Sequence, residues 1–291
     1  MVQREGSVKV ASICMCSRDN KKENVEKAFS YLREASKEGA DWALLPEIFA
    51  FNGSYEDYHE MAEEGEGSKL MQDLCALSKE LNMVIFAGTL GERSGDRDES
   101  IKNHKGQRRV YNTLYVIGRD GAIIGKYRKT HLFNLYDEKG KPLYCESDGF
   151  LQGDSLARVD VDGFSVGLSI CYDLRFSELY HKLQGLEEKP MDVIMVPSAF
   201  TKKTGEAHWE LLLRARAAEF QSFVVAANQV GVHGPNRETY GHSMVVDPWG
   251  EVLCNTLDEE GIAYGIVSKE KLFDVRSRLP VLKNRRPELY Q

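Results

Sequence analysis

Apolar and polar positions along the first half of the chain alternate between the period of a strand and the period of a helix. The predicted strands of this half cover residues 8–13, 42–45, 83–87, 110–117 and 122–127. Two segments with apolar residues at helical spacing separate the first three strands, and they end at Gly39 and Asn82. The last two strands flank Asp120-Gly121, a dipeptide that predicts a hairpin.

The second half repeats this alternation after a stretch between Lys129 and Phe164 that is rich in Gly, Asp and Pro and predicts a long irregular loop. The predicted strands here cover residues 164–171, 193–196, 223–227, 243–246, 251–254 and 262–267. The predicted helices lie near residues 175–184, 206–221 and 269–278, and the tail 279–291 is predicted to be an extended arm.

The alternation of strands and helices indicates an α/β fold, and the strands are too many for one ordinary open sheet. Two sheets packed face to face, with helices outside, fit this pattern better than a single sheet does. No internal repeat and no linker interrupts the sequence, which predicts a single domain over residues 1–291.

Composition narrows the class of protein. A formal net charge of −7 gives no electrostatic reason to expect binding to nucleic acid or to an anionic membrane. The N-terminal apolar run is too short for a signal peptide, and no stretch approaches the length of a membrane span. Six scattered cysteines in a chain of 291 residues favour a reducing compartment, so we expect a cytoplasmic location.

Cys171 is the first candidate for chemistry, because it ends the strand predicted over 164–171 and precedes a helical pattern. A thiol in that position can be exposed and acidified, although most cysteines are inert core residues. A cysteine nucleophile also needs a base and a group that stabilises an oxyanion. None of the seven histidines has the context of a base, and no spacing of Cys or His predicts a metal site.

Glu47 and Lys129 are the charged residues that can complete such a site. Glu47 follows a buried strand, where desolvation would raise its pKa toward the range useful for a base, and Lys129 ends the strand before Thr130. Both could instead be solvated or paired with each other. Because strand ends in α/β folds gather at one rim, however, Glu47, Lys129 and Cys171 are predicted to meet.

The motifs around these three residues resemble the nitrilase superfamily of carbon–nitrogen hydrolases over nearly the whole chain. The matching motifs are Leu-Leu-Pro-Glu47, Tyr-Arg-Lys129-Thr-His-Leu-Phe, Ile-Cys171-Tyr-Asp-Leu-Arg-Phe, Pro197-Ser-Ala-Phe200, Thr204-Gly-Glu-Ala-His208-Trp-Glu and Tyr240-Gly-His-Ser-Met-Val-Val-Asp-Pro-Trp-Gly250. The resemblance implies a four-layer αββα sandwich that forms a homodimer through its helices. It also implies Glu47 as general base and Cys171 as nucleophile, with Lys129 and the backbone N–H of Tyr172 holding the oxyanion.

The resemblance further implies hydrolysis of a small-molecule amide through a thioester, without metal or cofactor. The motifs are most similar to the amidase branch that includes omega-amidase, which acts on α-ketoglutaramate-type substrates, and deaminated glutathione amidase. Glu146 is the candidate for a second glutamate that positions the lysine or the substrate. Arg175 could bind a substrate carboxylate or form an ion pair with Asp173 or Glu178. The remaining candidates for substrate contacts are Phe200, Thr201 and Thr204.

Substrate identity stays open because the segment 134–142, which lies over the site in the family, is longer and more charged than in relatives. Ser177 replaces a frequent proline, a change expected to affect only the start of the following helix. The alternative hypothesis is an N-carbamoyl amidohydrolase or a nitrilase on the same scaffold. The third hypothesis is a non-catalytic binding module.

Overall fold

The computed structural model of the chain describes residues 6–94, 101–185, 189–234 and 237–289. Its strands are β1 (Ser7–Cys14), β2 (Trp42–Leu44), β3 (Val84–Phe86), β4 (Leu90–Arg93), β5 (Val110–Ile117), β6 (Ile123–Arg128), β7 (Asn134–Tyr136), β8 (Pro142–Cys145), β9 (Phe150–Leu151), β10 (Arg158–Val161), β11 (Phe164–Leu168), β12 (Val193–Ser198), β13 (Phe223–Asn228), β14 (Val230–Gly234), β15 (Arg237–Tyr240), β16 (Met244–Val246), β17 (Val252–Asn255) and β18 (Gly261–Ser268). Its helices are α1 (Lys21–Lys37), α2 (Tyr58–Met61), α3 (Lys69–Leu81), α4 (Ser177–Gly185), α5 (Lys202–Phe220), α6 (Lys269–Arg278) and α7 (Val281–Asn284).

Two mixed sheets form the centre of the molecule. The first has the order β18-β1-β2-β3-β5-β4, with β6 and β9 also paired to β5, and the second has the order β10-β11-β12-β13-β16-β17. In each sheet three consecutive strands of this order run parallel, β1-β2-β3 in the first and β11-β12-β13 in the second. The carboxyl ends of β2 and β11 therefore each lie at the edge of the sheet where the parallel strands all end.

The two sheets pack face to face, and helices cover their outer faces. Trp42 of the first sheet meets Phe164 of the second with ring centroids 5.6 Å apart, and Ser12 Oγ donates to the Ala226 carbonyl oxygen over 2.7 Å. Leu32 of α1 and Leu74 of α3 pack on the other face of the first sheet. Trp209, Leu213 and Ala217 of α5 belong to the core of the second sheet. The predicted αββα sandwich is confirmed.

Several predictions about local structure need correction. The stretch predicted as a long irregular loop contains the β7–β8 hairpin, β9, and β10, which pairs with β11. The strand predicted over 164–171 ends at Leu168, three residues before the cysteine. The hairpin of β14 and β15 is absent from the prediction because its polar residues and glycines lack apolar alternation.

The tail 279–291, predicted as an extended arm, is described as far as residue 289. It contains α7 and a short 3₁₀ turn, Pro287–Leu289, so its backbone is not extended throughout. In the described ranges, every helix is too short or too polar to cross a membrane.

Candidate active site

Glu47, Lys129 and Cys171 lie together at the ends of three strands. Glu47 follows β2, Lys129 directly follows β6, and Cys171 follows β11. Lys129 Nζ donates to Glu47 Oε1 over 2.8 Å. Glu47, Lys129 and Cys171 line one chamber at this point of the molecule. The structure therefore brings the three residues together as the sequence predicts, whereas their catalytic roles remain predictions.

The Lys129 ammonium lies between two buried carboxylates. Besides Glu47 it donates to both oxygens of Glu146, each over 2.8 Å, and its side chain is only 1% exposed. Burial alone would lower the pKa of Lys129, but the charges of Glu146 and Glu47 outweigh it and hold that pKa well above its ordinary value. Lys129 therefore stays protonated and keeps a permanent positive charge beside the thiol.

The Glu47 carboxylate accepts hydrogen bonds from several neighbouring groups. Lys129 and Asn112 Nδ2 both donate to Oε1 over 2.8 Å, and the Ala199 backbone N–H donates to Oε2 over 2.7 Å. Burial raises the pKa of Glu47, but the Lys129 charge and the hydrogen bonds from Lys129, Cys171 and Asn112 outweigh burial and hold that pKa below its ordinary value. The prediction of a raised pKa was therefore wrong in sign, because desolvation was considered without the neighbouring cation.

The pKa of Glu146 is shifted in the opposite direction from that of Glu47, by burial and by the neighbouring Glu47 charge. Together they raise the pKa of Glu146 even though Lys129 pairs with it. Its Oε2 also accepts from the Phe133 backbone N–H over 2.6 Å, which ties the carboxylate to the segment after Lys129. The structure places Glu146 against Lys129, and its role in positioning the lysine or the substrate stays a prediction.

Cys171 starts a short 3₁₀ helix, Cys171–Arg175, with φ at 48°, in the left-handed region that a non-glycine residue seldom adopts. Its side chain is buried, with 7% exposure. Burial and the Glu47 charge raise the pKa of the thiol well above its ordinary value, although Lys129 opposes this effect. The expectation of an exposed and acidified thiol was therefore wrong, and at neutral pH the sulfur carries its proton.

Asp173 fixes the turn that presents Cys171. Its Oδ2 accepts from the Ile170 backbone N–H over 2.9 Å and from the Tyr127 hydroxyl over 2.8 Å. Its Oδ1 lies 2.7 Å from His131 Nδ1 and accepts from the His131 backbone N–H over 3.1 Å. This buried carboxylate joins the turn of the cysteine to the segment of the lysine, so it holds the two groups in register.

A cleft opens beside the sulfur, and the remaining predicted substrate contacts line it. Its walls are Phe133, Cys171, Tyr172, Arg175, Ala199, Phe200, Thr201 and Thr204. The Arg175 guanidinium lies over the Phe200 ring at 5.2 Å and contacts His208 Nδ1 over 3.4 Å. Within the described residues it forms no ion pair with Asp173, Glu178 or any other carboxylate. The ion-pair alternative for Arg175 therefore does not apply.

A second chamber meets this cleft at the cysteine. Glu47, Lys129 and Glu146 line it together with Asn112, Tyr144 and Arg237, which sequence reasoning missed. Asn112 is a polar residue inside the apolar strand β5, and that break in the pattern was a usable signal. Arg237 lies on the unpredicted strand β15 and carried no such signal.

The sequence matches the carbon–nitrogen hydrolase family over residues 9–276. The chain belongs to the carbon–nitrogen hydrolase family. This confirms the resemblance described above, and membership of this family together with amidase-named relatives makes the chain an amide-hydrolysing enzyme.

Relatives of this carbon–nitrogen hydrolase span most of its length. The human deaminated glutathione amidase is 37% identical over 285 residues, which cover 97% of this chain and 83% of that protein. The human omega-amidase is 37% identical over 270 residues, which cover 93% of this chain and 92% of that protein.

Solved structures of similar proteins share the fold of this carbon–nitrogen hydrolase. The C. elegans NitFhit protein has a TM-score of 0.86 at 33% identity, covering 99% of this chain and 67% of that chain. A Saccharomyces cerevisiae protein, described as a member of branch 10 of the nitrilase superfamily, has a TM-score of 0.82 at 29% identity and 97% coverage of both chains.

Proposed function

We propose that the chain hydrolyses the amide of a small carboxylate-bearing acid, of the α-ketoglutaramate or deaminated glutathione type, through a thioester on Cys171. The proposal rests on the two features that lie on either side of Cys171. A buried carboxylate–ammonium cluster lies on one side of the Cys171 sulfur, and on the other side is a cleft whose arginine has no carboxylate partner among the described residues.

In the acylation step, the Cys171 sulfur attacks the amide carbonyl carbon while its proton passes to Glu47. The oxyanion that forms is held by Lys129 and the Tyr172 backbone N–H. Two of the three Lys129 donors go to the same Glu146 carboxylate, so one can turn to the oxyanion while the other keeps the lysine in place. The C–N bond then breaks, and Glu47 returns the proton to the leaving nitrogen.

In the deacylation step, Glu47 takes a proton from a water molecule, which attacks the thioester carbon. The C–S bond breaks, the sulfur recovers a proton from Glu47, and the carboxylic acid leaves. These steps use no redox change, and the proposal includes no metal or cofactor. A low pKa suits Glu47 to this cycle, because it must be ionised at the start of each step.

Arg175 is the group we assign to the substrate's own carboxylate. Its planar guanidinium can bind a carboxylate with two parallel hydrogen bonds, and the Phe200 ring supports its position. Thr201 and Thr204, whose hydroxyl oxygens are 2.7 Å apart, lie at the same cleft and can donate to an adjacent keto or carboxylate oxygen.

An ammonia and amine release assay with four substrates tests this function. The parent protein is expected to hydrolyse α-ketoglutaramate or deaminated glutathione and to leave an N-carbamoyl amino acid and an aliphatic nitrile unchanged. Arg175→Gln is expected to raise KM for the active substrate about tenfold or more while kcat changes less, since it removes a charge-assisted hydrogen bond from binding.

Lys182→Gln, which changes a cation on α4, is the matched control for that variant and is expected to keep the parent's KM. Turnover of only the carbamoyl compound or only the nitrile would overturn the amidase proposal in favour of the alternative enzyme. If the parent protein hydrolyses none of the four substrates, the result would favour the hypothesis of a non-catalytic binding module. An unchanged KM in Arg175→Gln would remove Arg175 from the substrate site.

We also propose that the chain forms a homodimer through its outer helices. Leu211 of α5 and Phe273 of α6 are 65% and 74% exposed, which is unusual for large apolar side chains on two covering helices. Sedimentation velocity is expected to give twice the chain mass of 32.9 kDa, and Leu211→Asp is expected to shift it toward the monomer. Leu257→Asp, at an exposed turn, is the control, and a monomeric parent would contradict the proposal.

We further propose that residues 1–291 act as one catalytic domain in the cytoplasm. The free thiols of all six cysteines support a reducing compartment.

A further inference from the structure

Arg237 lies in the catalytic chamber but has no role in the steps above. It begins β15, and Thr239, two residues further along the same strand, forms a bridge with Thr201 at the start of α5. Its guanidinium lies over the Tyr144 ring at 5.4 Å, on the wall of the chamber that also contains Glu47 and Lys129. The cation is thus held by backbone pairing and by an aromatic face.

Within the described ranges, Arg237 has no carboxylate at ion-pair distance. The neighbouring Glu238 points elsewhere, since Lys202 Nζ donates to it over 2.7 Å. The Tyr58 hydroxyl is buried beside Arg237: burial raises the pKa of Tyr58, and the neighbouring guanidinium charge opposes that effect. A half-buried guanidinium without a carboxylate partner among the described residues, and the tyrosine hydroxyl beside it, together form a set of donors that fits a carboxylate.

The chemistry of the reaction decides which part of a substrate faces these donors. Glu47 must protonate the leaving nitrogen, so the amine of the substrate lies on the side of the sulfur where Glu47 lies. Glu47 and Arg237 line the same chamber, whereas Arg175, Thr201 and Thr204 line the other cleft. The two spaces meet at Cys171, so the acyl part occupies the Arg175 cleft and the amine extends toward Arg237.

We propose that Arg237 binds a carboxylate on the leaving amine and thereby selects N-substituted amides of this kind over primary amides. This inference rests on the proposed function and names the substrate class within it. Acylation breaks the C–N bond, Glu47 supplies the proton to nitrogen, and the amine leaves with its carboxylate. The acyl group remains on sulfur as in the general scheme.

Deaminated glutathione and α-ketoglutaramate form a matched pair of probes. Both carry the same α-ketoglutaryl group and give the same thioester, but one releases cysteinylglycine and the other releases ammonia. Arg237→Gln is expected to lower kcat/KM for deaminated glutathione about 10- to 100-fold and to leave kcat/KM for α-ketoglutaramate within about twofold. Arg237→Lys is expected to fall between the parent and Arg237→Gln, and Arg214→Gln on α5 is expected to match the parent.

Inhibition of the parent protein by product provides a test that needs no variant. Cysteinylglycine is expected to inhibit α-ketoglutaramate hydrolysis at least about tenfold more strongly than cysteinylglycinamide, which lacks the carboxylate. Equal inhibition by the two compounds would overturn the inference.

The outcomes separate this inference from the proposed function. An equal loss of kcat/KM on both substrates in Arg237→Gln, or no loss on either, would overturn the role of Arg237. A parent that hydrolyses α-ketoglutaramate but not deaminated glutathione would overturn it too, while the amidase proposal would stand. A parent that hydrolyses neither substrate would overturn both.

Discussion

Replacing Cys171 with alanine is expected to lower kcat about 10⁴- to 10⁶-fold, because the variant has no nucleophile to form the thioester. The residues that we propose to bind substrate, such as Arg175, remain in place, so the variant is expected to keep its affinity for substrate. Release of ammonia or amine measures the loss of turnover. Mass spectrometry of the acid-quenched parent protein is expected to detect the acyl group, and the same analysis of the variant is expected to detect none.

Cys254→Ala is the matched control for that experiment. Cys254 lies on β17, and burial raises its pKa to about 11, so it resembles Cys171 in its environment but lies outside the site. This variant is expected to retain the parent's kcat. A Cys171→Ala protein with more than about a hundredth of the parent's kcat would rule out the thioester mechanism.

The pH dependence of the parent reports how the thiol is activated. Because burial and the Glu47 charge hold the pKa of Cys171 well above 9.0, a preformed thiolate is scarce at neutral pH. Glu47, with a pKa below 4.5, is ionised there and can accept the proton during attack. We therefore expect kcat/KM to be flat between about pH 6 and pH 8. A rise of about tenfold per pH unit would instead indicate a thiolate in rapid equilibrium.

The position of the three central residues could be predicted because it depends on patterns that are local in sequence. The apolar runs before Glu47, Lys129 and Cys171 each indicate a buried strand, and the residue after such a strand lies at the rim of the fold. The approximate ends of the strands were enough for this purpose. Cys171 lies at the rim although its strand already ends at Leu168, and Cys171 itself adopts the left-handed conformation that starts the following turn.

The electrostatics of the site could not be predicted in the same way. The pKa of Glu47 depends on contacts with Lys129 and Asn112, which lie 82 and 65 residues away in the sequence. Burial by itself would have raised that pKa, and only the geometry shows that the cation outweighs it. Arg237 was missed for a related reason, because it lies on a short polar strand whose importance comes from the chamber it faces.

Replacing Lys129 with methionine is expected to have the largest effect on stability. The substitution leaves Glu47 and Glu146 buried together without a cation, and breaking a buried ion pair by removing one partner costs about 3–5 kcal/mol. Turnover is expected to fall as well, at least about 100-fold, since the oxyanion loses its cationic partner. The free energy of unfolding in denaturant and kcat measure the two effects.

Lys126→Met is the control on the same strand. Lys126 pairs with Glu92 at a more exposed position, and Arg128 continues to pair with that glutamate after the substitution. Its cost is expected to be about 1 kcal/mol or less. A Lys129→Met protein as stable as Lys126→Met at pH 7 would contradict the role assigned to the buried cation.

The sign of the pH effect follows from the groups that remain. In the parent, Lys129 with its raised pKa and Glu47 with its lowered pKa both contribute stability throughout the range from pH 5 to pH 7. The raised pKa of Glu146 already costs some stability at pH 7, and this cost falls as the pH falls. In Lys129→Met, burial and mutual repulsion raise the pKa of both carboxyls, and protonation as the pH falls relieves the repulsion. The deficit in stability relative to the parent is therefore expected to shrink from pH 7 to pH 5.

The double variant Lys129→Met with Glu146→Gln separates charge from packing. If the deficit of Lys129→Met came from lost packing, removing a carboxylate would restore nothing, because the cavity would be the same. If it comes from two buried charges without a cation, the double variant is expected to be more stable than Lys129→Met at pH 7 and to lose most of the pH dependence. A double variant less stable than the single one would place the cost in packing, and Lys129 would then hold the site together by volume and not by charge.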